Sequence, residues 1–120
     1  METKILGRWG ESVAAEYLKK LGYKILGLNY TTRFGEVDII AQNKKFIVFV
    51  EVKLRKSDRF AKARDFVTRT KQERIIATAQ GWLQLNDTAL QPRFDVIEVY
   101  APQGIKTANP EINHIENAFS

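Results

Sequence analysis

The feature that most constrains this chain is an apolar hairpin that carries charged residues at one end. The segment GEVDIIAQNKKFIVFVEVKLRK, residues 35–56, has the composition of two consecutive buried strands. Yet Asp38 lies inside the first strand, and Glu51 and Lys53 lie inside the second. An unpaired charge is costly to bury. These three groups therefore need either mutual pairing or a function.

Side-chain alternation places the charged groups on one face. We predict strands at 36–42 and 45–54, and side chains on a strand point alternately to opposite faces. Any even-length loop therefore brings Asp38 and Glu51 to one face at the same end of the hairpin. The expected register for a loop of two or four residues pairs Ile40 with Ile47, Asp38 with Phe49 and Glu36 with Glu51. The opposite face of the first strand is expected to hold Val37, Ile39 and Ala41.

Carboxylates grouped in this way repel one another and stay ionised together only beside a cation. Lys53, on the same face, supplies part of that charge. A divalent ion such as Mg²⁺ supplies more, because it prefers carboxylate and carbonyl oxygens and keeps several waters. Mg²⁺, with Mn²⁺ as a substitute, beside a lysine is an arrangement suited to phosphodiester hydrolysis.

The rest of the chain predicts an α/β fold, a mixed β-sheet flanked by helices. We expect helices at 3–21 and 69–86, strands at 23–30 and 93–100, a turn at 31–34 and an edge strand within 112–119. The long connection through the second helix would make the strand at 93–100 parallel to that at 45–54. Length predicts a single domain over residues 1–120.

Both helices are expected to direct polar groups toward the hairpin. Glu11 borders the apolar stripe of the first helix, while Lys71 and Gln72 each precede an apolar position of the second helix by four residues. The single histidine, His114, lies in the tail without a partner for metal binding or for a catalytic triad, and it is given no role. Trp9 and Trp82 are expected in the core.

Positive charge is concentrated after the hairpin. The chain has a net charge of +5. The window 53–74 holds nine cationic and three acidic residues, so it carries +6 and the rest of the chain carries −1. Positive charge concentrated in this way would attract the phosphate backbone of a nucleic acid. The chain has no cysteine, and it shows no signal peptide and no apolar run of membrane-spanning length, so we expect a cytoplasmic protein with no membrane partner.

Each observation also has a structural explanation. Glu51 and Lys53 are spaced to form a plain ion pair on one strand face. Asp38 could be an ordinary acid at a strand end, Glu11 an exposed helix residue, and the basic window a solvated loop. The conjunction of all of these features favours a site.

The motifs resemble those of the PD-(D/E)xK nuclease superfamily, with "GEVD" supplying Asp38 and "EVK" supplying Glu51 and Lys53. More closely, "GRWGESVAAEYLKKLGYKILGLNYTTRFGEVDII", "FVEVKLRK" and "RFDVIEV" look like the YraN-like family of small bacterial proteins, which is similar in pattern to archaeal Holliday junction resolvases. The resemblance runs from about Gly7 to Tyr100.

The resemblance implies a restriction-endonuclease-like core, a DNA substrate with branched DNA as a candidate, and a two-fold dimer. The implied metal ligands are Asp38, Glu51, Glu11 and the carbonyl of Val52. The implied catalytic set is Glu11, Asp38, Glu51, Lys53, Lys71 and Gln72. The residues expected to bind the DNA backbone are Arg33, Arg55, Lys56, Arg59, Lys62, Arg64 and Arg69.

We therefore expect a Mg²⁺-dependent DNA endonuclease that needs no small-molecule cofactor. The sequence leaves two alternatives open. One is a non-catalytic nucleic-acid-binding protein that keeps the nuclease fold, and the other is a structural or adaptor domain.

Overall fold

Five strands form one mixed sheet with a helix on each face in the computed structural model, which describes residues 2–56 and 67–120. The elements in chain order are α1 (Glu2–Lys20), β1 (Lys24–Thr32), β2 (Gly35–Gln42), β3 (Phe46–Arg55), α2 (Arg69–Leu85), β4 (Gln91–Tyr100), a short 3₁₀ turn (Gly104–Lys106) and β5 (Glu111–Phe119). The sheet order is β1-β2-β3-β4-β5, so β1 and β5 are the edges. Only β3 and β4 run parallel.

Each face of the sheet has its own apolar core. Leu18 of α1 packs with Ile39, Val48 and Ile97 on one face, and Trp9 packs against this group. On the opposite face, Ile75 of α2 packs with Ile40, Phe49 and Val96, and Trp82 packs against them. The expectation that both tryptophans belong to the core is confirmed.

Local signals explain where the helices begin and end. Gly22 has φ of 97°, a left-handed conformation in which an L side chain would be strained, and its amide donates to the Lys19 carbonyl at 3.0 Å. The hydroxyl of Thr68 caps α2 by accepting from the Lys71 amide at 3.2 Å. The cap fixes the first turn of α2, where Lys71 lies.

The predicted fold class is confirmed: an α/β architecture with a mixed sheet between two helices, consistent with a restriction-endonuclease-like core. The parallel β3–β4 pair, joined through α2, is also confirmed. The strand expected at 23–30 continues to Thr32, which pairs with Gly35, so the expected turn at 31–34 shortens to two residues.

The expected hairpin register is wrong by two residues. Ile40 pairs with Phe49 rather than with Ile47, because the connection between Gln42 and Phe46 is held by the side chain of Asn43. Its Oδ1 accepts from the amides of Lys45 at 2.9 Å and Phe46 at 2.7 Å. Because a shift of two preserves the side-chain alternation, the faces of β3 remain as expected.

The expected position of Val37 is also wrong. Val37 packs with Ile40 in the α2-side core, whereas Ile39 packs on the α1 side. The pairing between β2 and β3 extends no farther than Ile39–Val50, so strict alternation is interrupted at Asp38. Opposite this point in β1, Asn29 has φ of 53°, which is also irregular for a strand.

His114, which is given no role from the sequence, takes part in a hydrogen-bond network. Its Nε2 lies 2.7 Å from Oδ2 of Asp95, and its Nδ1 lies 3.0 Å from the hydroxyl of Tyr17. Asp95 is fully buried and also accepts from Nε of Arg93 at 2.9 Å. The sequence alone did not reveal this network because its members lie on α1, β4 and β5, far apart along the chain.

Across residues 2–56 and 67–120, no helix combines the length and apolar character needed to cross a membrane.

Candidate metal and nucleic-acid site

A cavity of about 330 Å³ opens where the β2–β3 pairing ends and α2 begins; we refer to it as the acidic cavity. It is lined by Gly35, Glu36, Asp38, Glu51, Thr68, Thr70, Lys71, Arg74 and Ile75. Three acids of β2 and β3 thus face two cations of α2. The charged end of the predicted hairpin therefore forms the wall of an open cavity.

Asp38 is held against the backbone of the neighbouring strand. Its Oδ2 accepts from the amide of Val52 at 2.8 Å, and the residue is only 8% exposed. Burial, with repulsion from Glu51 as the second cause, raises the pKa of Asp38 to about 8. At neutral pH this carboxyl therefore retains its proton much of the time unless a cation replaces it.

Glu51 is buried but paired. The residue is 3% exposed, and its Oε2 lies 2.8 Å from Nζ of Lys71 and 3.9 Å from Nζ of Lys53. Burial lowers the pKa of Lys71, but the hydrogen bond and attraction to Glu51 outweigh this effect and raise it overall. The expected Glu51–Lys53 pair thus exists, and the shorter contact is with Lys71.

Glu11, Glu36 and Asp38 form a second grouping, which we call the acidic cluster. One carboxylate oxygen from each lies within 4.8 Å of the others, so two elements, α1 and β2, contribute to one point. Oε1 of Glu11 is buried and has no hydrogen-bond partner among the described residues. Burial also raises the pKa of Glu11.

These observations fit a divalent cation. A buried carboxylate oxygen without a donor is costly, and burial together with repulsion from Glu51 and Glu11 raises the pKa of Asp38. Hard oxygen ligands in this number suit Mg²⁺ or Mn²⁺. Asp38 is central because it adjoins Glu11 and Glu36 on one side and Glu51 on the other.

The structure brings together most of the predicted catalytic residues. Asp38, Glu51 and Lys71 line the acidic cavity, Lys53 contacts Glu51, and Glu11 reaches Asp38 through the acidic cluster. Gln72 lies elsewhere: its Nε2 donates to the Val67 carbonyl at 2.9 Å, and its side chain lines a separate apolar cavity.

The predicted backbone-binding cations that the structure describes lie in separate surroundings. Arg55 pairs with Glu98 at 3.1 Å, and Arg69 lies 3.6 Å from Glu73 at an exposed position. Arg33 is exposed and stacks on the Phe34 ring, with its guanidinium carbon 4.9 Å from the ring centroid. Lys56 is exposed beside a different cavity. Arg59, Lys62 and Arg64 lie outside the described residues.

Two residues of the site were not predicted from the sequence. Glu36 belongs to the acidic cluster, and Arg74 lines the acidic cavity. Both carried a signal: Glu36 is two residues before Asp38 on the same strand, and Arg74 is three residues after Lys71 on the same helix. Each spacing places the missed residue beside a predicted one.

Fold and site together define the class: a small α/β protein whose mixed sheet carries an open cavity lined by acidic side chains and flanked by lysine and arginine. Comparison with known proteins gives the family. Residues 10–99 match the model described as "Uncharacterised protein family UPF0102", and the chain belongs to this family.

Curated relatives match over nearly their whole length. A UPF0102 protein from Caldanaerobacter subterraneus subsp. tengcongensis is 47% identical over 118 residues, covering 97% of this chain and 95% of the relative. One from Vibrio parahaemolyticus is 42% identical over 117 residues, covering 96% and 92%. One from Caldicellulosiruptor saccharolyticus is 43% identical over 120 residues, covering 99% and 100%.

Proposed function

We propose that this protein is a Mg²⁺-dependent DNA endonuclease, with Mn²⁺ as an alternative ion. The observation that carries the proposal is Asp38, a buried carboxyl of the acidic cluster that also adjoins Glu51 and whose pKa is raised to about 8. A structural role would be served better by an apolar or paired residue, because repulsion among acids destabilises the fold. A cation site explains why the acids are together.

The proposed ligands are Asp38, Glu51 and Glu11, with the Val52 carbonyl and Glu36 as further oxygen donors. When bound, the cation would polarise a phosphate oxygen and make a nearby water more acidic. Asp38 is already oriented by its hydrogen bond from the Val52 amide. Such orientation matters because rate depends on the geometry of the reacting groups.

Two lysines supply fixed positive charge beside the acids. Lys71, held 2.8 Å from Glu51, is proposed to position the phosphate that is cut. Lys53, 3.9 Å from the same oxygen, is proposed to stabilise charge that develops on that phosphate or to orient the attacking water. Both lysines lie on the α2 side of the sheet, so they approach the phosphate from one direction.

DNA is the proposed substrate because excess positive charge is concentrated in the window 53–74, which includes Lys53, Lys71 and Arg74 beside the acidic cavity. Cations of this kind neutralise backbone phosphates without reading base sequence. A preference for branched DNA and a two-fold dimer are the finer parts of the proposal, and they rest on the resemblance to resolvases.

The test is cleavage of labelled four-way junction, flap, single-stranded and duplex DNA in Mg²⁺, Mn²⁺ or EDTA. We expect products with either cation and none in EDTA. Asp38→Asn and Glu51→Gln should each lower the rate about 100-fold or more, in the range for loss of one charge-stabilising group. DNA binding should be retained in both variants.

Asp87→Asn is the matched control, since Asp87 is exposed in the loop after α2. It should cut as the wild type does. Equal cleavage by wild type, Asp38→Asn and Glu51→Gln would refute the assignment of these residues. Salt-dependent DNA binding without products under any cation would instead support the non-catalytic alternative.

A further inference from the structure

A second cavity lies on the α1 side of the acidic cluster. It has a volume of about 370 Å³, and its charged lining residues are Lys4, Arg8, Glu11 and Glu36. Neither Lys4 nor Arg8 belongs to the basic window that follows the hairpin. This cavity is therefore a separate source of positive charge beside the same acids.

The two cavities meet at the acidic cluster. Glu36 lines both of them, Asp38 lines only the acidic cavity, and Glu11 lines only the second cavity. Oxygens of these three residues lie within 4.8 Å of one another. A chain of phosphates passing from one cavity to the other would therefore cross directly over the proposed cation site.

Lys4 and Arg8 are suited to bind an anion. They are four residues apart on α1, so they share one face of the helix, and both are exposed. Within residues 2–56 and 67–120, neither forms a salt bridge within 4.0 Å, in contrast to Lys71, which is paired with Glu51. Arg8 attracts the Glu11 carboxylate from a longer distance and acts to lower its pKa, so neither cation is held in a direct ion pair.

We propose that Lys4 and Arg8 bind a backbone phosphate of the same DNA strand, on the opposite side of the acidic cluster from Lys71 and Arg74. The inference rests on the proposed function and extends it to the path of the strand. A phosphate leaving the site toward α1 meets Glu11 and Glu36, which repel it. Cations at this position offset that repulsion.

The test compares two double variants with the same change in charge on the same helix. Lys4→Gln/Arg8→Gln removes the proposed contact. Lys19→Gln/Lys20→Gln removes two cations from the last turn of α1, at the other end of the helix. Binding of a fluorescein-labelled DNA duplex is followed by anisotropy at several salt concentrations, with Ca²⁺ or EDTA in the buffer.

We expect Lys4→Gln/Arg8→Gln to weaken binding about tenfold and to lower the slope of log K against log salt by about 1, the change for one lost phosphate contact. The control variant should change affinity less than about twofold. Equal effects in both variants, no effect in either, or no DNA binding by the wild type would each overturn the proposal.

A neutral methylphosphonate placed at single positions of the labelled strand locates the contact. A substitution at the phosphate bound by Lys4 and Arg8 should weaken the wild type but have little further effect on Lys4→Gln/Arg8→Gln. Additive losses at every position would contradict the inference. These binding readouts stand apart from cleavage, so a protein that binds in this way but does not cut would refute the proposed function alone.

Discussion

Asp38 occupies an environment that opposes its own ionisation. It is 8% exposed, lies beside Glu51, Glu11 and Glu36, and receives a backbone hydrogen bond from Val52. Burial and repulsion together raise its pKa to about 8. Because the folded pKa exceeds the unfolded value of about 3.8, the contribution of Asp38 to the stability of the cation-free protein falls as pH rises from about 4 through 8.

The same shift predicts how cation binding depends on pH. A divalent ion competes with the proton on Asp38, so the apparent Mn²⁺ affinity should rise between pH 6 and 8, by as much as about tenfold per pH unit, and then level off. Isothermal titration calorimetry at pH 6, 7, 8 and 9 measures this. Asp87→Asn should follow the wild type.

Equal Mn²⁺ affinity at pH 6 and pH 8 would show that Asp38 does not take part in cation binding. Asp38→Asn separates the roles of charge and shape, because asparagine can still accept from the Val52 amide but cannot supply a negative charge. Its residual affinity should therefore be low and nearly independent of pH over the same range.

At the scale of elements, the sequence predicts the hairpin and both helices because each has a strong local signal. Alternating apolar residues mark β3, and helical spacing with Gly22 marks α1. The register was predicted wrongly because the side chain of Asn43 holds a wider connection. Such turn geometry depends on which hydrogen bonds form, and residue spacing does not encode it.

The β4–β5 pair is stabilised by a buried network that local patterns do not reveal. Asp95 is fully buried and accepts from Arg93, His114 contacts it at 2.7 Å, and the Asn117 amide donates to it at 3.0 Å. Burial raises the pKa of Asp95, but the hydrogen bonds from His114 and Arg93 outweigh it, so the pKa is lowered overall. The network ties edge strand β5 to the sheet.

Asp95→Asn should therefore destabilise the protein at pH 7 by about 3 kcal/mol, the cost of leaving a buried Arg93 without its charged partner. An acid whose pKa is lowered in the folded state stabilises the protein at pH values above its unfolded pKa of about 3.8. This stabilisation is lost as the pH falls through the folded pKa. The difference between variant and wild type should thus narrow in acid. Urea unfolding at pH 7, 5 and 3 tests this.

Asp87→Asn is again the control, because Asp87 is exposed. A constant difference between Asp95→Asn and wild type at all three pH values would mean that the network acts through packing rather than charge. If Asp95→Asn is as stable as the wild type at pH 7, the network does not hold β5 to the sheet.

At the scale of the whole molecule, charge and burial are arranged around one end of the sheet. The window 53–74 ends in cations that line the acidic cavity, and Lys4 and Arg8 line the cavity on the other side of the acidic cluster. The sequence predicts the first group, because it is continuous along the chain. It does not predict the second, because the fold alone brings α1 beside β2.

The same distinction applies to the site. Glu51 and Lys53 are predictable because they alternate with the apolar residues of β3, and Glu11 because it borders an apolar stripe. Asp38 is predictable as a charged residue within an apolar strand, although the alternation of β2 is interrupted there. The close contact between Lys71 and Glu51 depends on how α2 packs on the sheet. Gln72 lies away from the acidic cavity because its side chain donates to the Val67 carbonyl. This contact depends on where α2 begins, which the sequence does not fix to the residue.

The central claim is that the buried acids are gathered to hold a divalent cation. The most direct measurement is the melting temperature of wild type, Asp38→Asn and Asp87→Asn during titration with Mg²⁺ or Mn²⁺ at pH 8. An ion that binds only the folded state stabilises by RT ln(1 + [L]/Kd), or about 2.7 kcal/mol at a hundred times Kd. Wild type and Asp87→Asn should therefore melt several degrees higher in saturating cation, and Asp38→Asn should barely respond. A wild-type melting temperature that ignores the cation, or an equal rise in Asp38→Asn, would contradict the claim.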